Sequence, residues 1–126
     1  MRAIDTNVLV RLLVRDDAKQ VARAEQFVAK GAWISLVTLV ETAWVLASVY
    51  ELEDNAIAQA VDMLLNHQQL TVQDGETVAA ALEDFRRKPS LGFSDCLILA
   101  IARKAGHVPL GTFDRNLAKR EGAQKL

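Results

Sequence analysis

The feature that most constrains this chain is the way two hydrophobic rhythms take turns along it. Short apolar runs that read as strands, "RAI", "AWIS", "LTVQ" and "HVPLGT", are separated by longer stretches with apolar residues at helical spacing. Val21, Ala24 and Val28 share one face of "DAKQVARAEQFVAKG", and Ile57, Val61, Leu64 and Leu65 share one face of "NAIAQAVDMLLNH". Parallel strands need a crossover between them, most often a helix. This order therefore predicts an α/β fold, a central, mostly parallel β-sheet flanked by α-helices. "AQKL" is a further candidate strand, at an edge.

Helix ends follow from capping chemistry. Thr6 is read as capping "TNVLVRLLV", Asp54 and Asp74 as capping the fourth and fifth helices, and Ser94 as capping "SDCLILAIARKAG". Gly31 and Gly106 mark stops, and the fifth helix ends before Pro89. With 126 residues, no internal repeat and no linker rich in Pro or Gly, one domain over 1–126 is expected. "LVTLVETAWVLASVY" reads as a mostly buried helix, with Trp33, Trp44 and Phe27 as core or, for some of them, a dimer surface.

The single cysteine, Cys96, cannot form an internal disulfide, which favours a reducing cytoplasm. The apolar start is broken by Asp5, Arg11 and Arg15, so no signal peptide is read there. From Gly31 to Tyr50 the one acidic or basic residue is Glu41, and its charge argues against a membrane span. A net charge of −1 does not announce a nucleic-acid binder and does not exclude one.

Most of the sixteen acidic residues sit where a helix start or a solvent face explains them, Glu83 and Asp84 beside "RRK" among them. Asp5 in "RAIDTN", Glu41 in "TLVETAW", Asp95 in "GFSDCLIL" and Asp114 in "LGTFDRN" have mainly apolar company instead. A carboxylate in such surroundings needs a partner or a proton. Separate ion pairs would answer this, but basic neighbours are scarce in sequence; one cation bound by all four would satisfy them together. Asp5 and Asp114 follow candidate strands, where sites of open α/β sheets collect. Glu41 lies two turns into its helix, on a line with Thr38, Val45 and Ser48. With oxygen-only ligands and just two histidines, His67 and His107, the cation is Mg²⁺ or Mn²⁺ rather than Zn²⁺. Such ions suit phosphodiester hydrolysis, because they activate water and neutralise charge developing on phosphate. Taken alone, Asp5-Thr6-Asn7 is equally well a cluster that starts a helix.

"IDTNVLVRLL", "ISLVTLVETAWVL", "FSDCLILAIARKAG" and "LGTFDRNL", in that order, make the sequence resemble PIN-domain ribonucleases, specifically the small VapC-type toxins of bacterial and archaeal toxin–antitoxin pairs. The resemblance covers essentially the whole chain. It implies a Mg²⁺- or Mn²⁺-dependent endoribonuclease with Asp5, Glu41, Asp95 and Asp114 as catalytic metal ligands, Asp5 and Asp95 the surest. It also implies a homodimer, a cognate VapB-like antitoxin that occludes the site, and transfer or ribosomal RNA as substrate. Leu117 stands where many relatives carry an aromatic residue.

Asn7, Ser94, Thr112 and Asn116 are candidates to hydrogen-bond the acids, with capping and strand-ending as their plain alternatives. Arg115 and Lys119, next to Asp114, and Arg86 and Arg87 are candidates for RNA phosphates; a solvated helix end is the commoner meaning of "RRK". Arg11, Arg15, Lys19 and Arg23 form a basic stripe if one helix carries them all. Two rivals compete with the nuclease reading. One is a catalytically weak PIN-like module that binds RNA or protein. The other is a haloacid-dehalogenase-like phosphatase, disfavoured because Asn7 stands where its motif needs Asp.

Overall fold

The computed structural model describes all residues from Met1 to Leu126. The chain divides into two compact units, Met1–Gly75 and Glu76–Leu126.

In the first unit, β1 (Arg2–Ala3), β2 (Ala32–Ile34) and β3 (Leu70–Val72) form a parallel sheet in that order. Arg2 is in register with Ala32, and Ala32 with Leu70. The crossovers are the helix pairs α1 (Thr6–Val14) with α2 (Ala18–Val28), and α3 (Leu36–Ser48) with α4 (Asp54–Asn66). Ala32 and Ile34 on β2 are fully buried, as is Leu9 on α1. Burying a side chain the size of Leu or Ile stabilises the fold by about 1.5–3 kcal/mol. The predicted faces of α2 and α4 are buried, except that Leu65 is only half-buried.

Caps fix the helix starts, and several differ from the sequence reading. Asp5, not Thr6, is the N-cap of α1: its Oδ1 accepts from the Val8 N–H at 3.1 Å. A carboxylate there satisfies a backbone donor and faces the positive helix end. α4 begins at Asp54 itself, with Glu53 as N-cap and no side-chain cap bond. α1 ends at Arg15 in the left-handed region (φ 60°), so no continuous helix carries the stripe from Arg11 to Arg23. Arg11 pairs instead with Asp16 at 2.5 Å, and Arg15 with Glu25 at 2.6 Å.

The second unit holds α5 from its second residue (Gly75–Arg87), a 3-10 turn at Pro89–Leu91, α6 (Phe93–Ala105), β4 (Leu110–Thr112), α7 (Arg115–Ala118) and β5 (Ala123–Lys125). β4 and β5 pair in parallel, so "AQKL" does contribute a strand. Phe85 on α5 and Phe93 on α6 meet edge to face, 5.9 Å between ring centres. α6 starts two residues earlier than a Ser94 cap implies, with Gly92 (φ 81°) as N-cap, so Ser94 lies inside the first turn and caps nothing. Gly106 closes the helix in the left-handed region, as expected of its position.

Trp44 is the clearest departure among the apolar residues: it is 65% exposed, not core. No helix is long and apolar enough to cross a membrane.

Candidate active site

The four candidate acids divide between the units, Asp5 and Glu41 in the first, Asp95 and Asp114 in the second. None is deeply buried: Asp5, Glu41 and Asp114 are exposed and Asp95 is half-buried. The premise that apolar sequence neighbours bury them is therefore corrected. On a helix, adjacent residues point in different directions, so Glu41 faces outward while Thr38, Leu39, Thr42 and Ala43 around it face inward. Its true companions on that face are Val37, Trp44 and Ser48, all exposed.

Neutral donors hold the acids. Glu41 Oε1 accepts from the hydroxyl of Thr6 at 3.2 Å, which ties the middle of α3 to the first turn of α1. Asp5 is held by its cap bond to Val8. Asp114 repeats the device at α7, where its Oδ1 accepts from the Leu117 N–H at 2.9 Å. Thr112 supports that turn, its hydroxyl accepting from the Asp114 N–H at 3.0 Å. No ion pair engages Asp5, Glu41, Asp95 or Asp114.

Asp95 sits in the first turn of α6. Burial, and next the negative charge of Asp114, hold its carboxyl above the ordinary aspartate value. A carboxylate whose charge is opposed by burial and by a second acid suits a nearby cation in charge. The oxygen-only donor set suits a hard divalent ion. No group of three or more His, Cys, Asp or Glu side chains stands ready to hold a metal by itself.

Of the supporting candidates, Thr112 alone bonds one of the acids, through backbone. Asn7 lines a cleft of about 370 Å³ together with Asp5, Arg11, Arg23 and Phe27. Ser94 and Asn116 make no hydrogen bond to the acids through their side chains. Arg115 and Lys119 are exposed at either end of α7. Arg87 reaches Glu83 at 4.0 Å across solvent, and Arg86 with it ends α5, in line with the plain reading of that run.

Two residues escaped the sequence reading. The sequence marks Thr6 as a cap, and nothing local signals a partner as distant as Glu41. Asp84 was set among the solvent-facing acids, yet its side chain is only 15% exposed and accepts from Arg120 at 2.8 Å and Arg103 at 3.4 Å. Arg103 also donates through Nε to the Glu121 carbonyl at 2.8 Å. With two basic partners and little exposure, Asp84 is thus a brace of the second unit rather than a ligand.

A family model described as PIN domain matches residues 3–123 and so spans both units. Neither a curated protein nor a solved structure gives a significant match.

Proposed function

The chain belongs to the PIN domain family, and from that premise we propose that it is a Mg²⁺- or Mn²⁺-dependent endoribonuclease, the toxin of a VapBC-type pair, acting on transfer or ribosomal RNA in the cytoplasm. PIN domains are generally nucleases, and the family match over nearly the whole chain is the observation that carries the reading.

Asp5, Glu41, Asp95 and Asp114 are the acids we assign to the cation. They are unpaired by any basic side chain, and the donors that hold Glu41, Asp5 and Asp114 are a hydroxyl and backbone N–H groups. When bound, the ion would polarise the scissile phosphate and activate water. The chain's own part is orientation. Thr6 fixes the Glu41 carboxylate, and the helix caps fix Asp5 and Asp114 on backbone N–H groups. Arg115 and Lys119 are available to RNA phosphates. The exposed face of α3, with Val37 71% and Trp44 65% accessible, supports the homodimer, and a VapB-like antitoxin is the partner expected to restrain the activity.

The test is cleavage of total RNA by purified protein with Mn²⁺ or Mg²⁺, with chelator, and with Asp5→Asn and Asp95→Asn chains prepared identically. Discrete fragments from wild type with metal only are expected. Equal cleavage by wild type and variants would refute the reading and leave the catalytically weak binding module in its place.

A further inference from the structure

Phe113 stands between Thr112 and the candidate ligand Asp114, yet it is 76% exposed, the most accessible aromatic ring in the chain. A lone exposed Phe is ordinary on a protein surface. This one has particular company. The Lys125 ammonium, from the neighbouring strand β5, lies 5.8 Å from the ring centre. Arg115 and Lys119 are exposed on the helix that follows. From Leu110 to Leu126 four basic residues stand against two acidic ones, in a chain whose net charge is −1. A flat apolar ring flanked by cations is what an unpaired nucleotide requires: the ring takes the base and the cations take its phosphates. A base inside a duplex is already stacked on both faces and cannot use such a ring without leaving its helix.

We propose that Phe113 is a stacking platform for one unpaired base of the RNA beside the scissile phosphate, with Lys125 contacting the backbone. The proposal rests on the ribonuclease reading above and adds the side chains that position the substrate. The turn that presents the ring is held by the Thr112–Asp114 bond, so base and acid are positioned by the same few residues.

The test is fluorescence anisotropy with a labelled single-stranded RNA and a duplex of the same sequence. It is run on the full chain in chelator and, in Mg²⁺, on the Asp5→Asn chain. Single-stranded RNA is expected to bind more tightly than duplex. Phe113→Ala and Phe113→Leu should weaken single-strand binding by roughly 5- to 100-fold, while Phe113→Tyr stays near wild type. Lys125→Gln should weaken it and flatten its salt dependence. Binding by Phe113→Leu equal to wild type would overturn the stacking role while leaving the ribonuclease reading intact. Unchanged RNA binding, with a shift from dimer to monomer in Phe113→Ala, would overturn it in favour of a protein contact. No RNA binding under either condition overturns this inference, and metal-dependent cleavage then decides the nuclease reading separately.

Discussion

The hydroxyl of Thr6 donates to Glu41 Oε1 at 3.2 Å, joining two helices far apart in sequence through one acid. Glu41 is exposed and otherwise free to sample several rotamers, so this bond selects the carboxylate's position. Thr6→Val keeps the shape and removes the donor. We expect the metal-dependent cleavage rate to fall by roughly 5- to 10-fold, the worth of about 1 kcal/mol, with Tm nearly unchanged. Thr6→Ser should restore the rate; failure to do so would assign the effect to packing.

Asp5 serves as both cap and candidate ligand, and two substitutions separate these roles. Asn caps as well as Asp, so Asp5→Asn should hold stability within about 0.5 kcal/mol while abolishing cleavage. Asp5→Ala should lose cleavage and about 1 kcal/mol besides. Urea unfolding of both proteins measures the difference; an active Asp5→Asn chain would remove Asp5 from the cation.

Removing Asp84 takes the carboxylate partner from two guanidinium groups that are themselves only partly accessible, Arg103 at 33% and Arg120 at 27%, and leaves Arg103 its bond to the Glu121 carbonyl. Asp84→Ala should cost about 2–4 kcal/mol, read as a lower urea midpoint. A change below about 0.5 kcal/mol, typical of a surface pair, would show that the brace is solvent-screened.

For Asp95 the folded carboxyl binds its proton more readily than the unfolded one, because burial and Asp114 oppose its charge. Stability from this group is present below the ordinary aspartate value and is lost as pH rises through the raised folded value. At neutral pH and without metal, Asp95→Asn should therefore raise Tm while abolishing cleavage. Below the ordinary aspartate value the Tm advantage should vanish. An Asp95→Asn protein less stable than wild type at neutral pH would contradict this balance.

Cys96 is buried and its thiol is pushed up to about 11, chiefly by burial and next by Asp84. The folded protein should react with a thiol reagent at pH 8 orders of magnitude more slowly than the urea-unfolded chain. Rapid labelling of the native protein would show that α6 opens readily.

Element order was legible because strand-like and helix-like periods differ so plainly, even for the short "LTVQ" and "AQKL". Apolar sequence neighbours single out the four acids but do not bury them. Burial is decided by which face of the helix a residue takes, and Glu41 shares its face with Trp44 rather than with Leu39. The predicted caps are off by one residue at Thr6 and Asp54 and by two at Ser94: Asp5 takes the N–H group that Thr6 would have capped, while Glu53 and Gly92 precede their helices with no side-chain cap bond. The Asp84 brace was illegible for a different reason: Arg103 and Arg120 reach it only after α6 and α7 have been positioned.

The parallel pairing of β4 with β5 leaves the segment 113–122 to lift off the sheet, turn over in four helical residues and come back beside its start. Parallel neighbours usually have a longer crossover than this, with slack to absorb changes. Ten residues therefore carry both the turn that holds Asp114 and the return to the register of Leu110 with Ala123. The spacing between Asp114 and the last strand is thereby set by one short helix, a ruler four residues long.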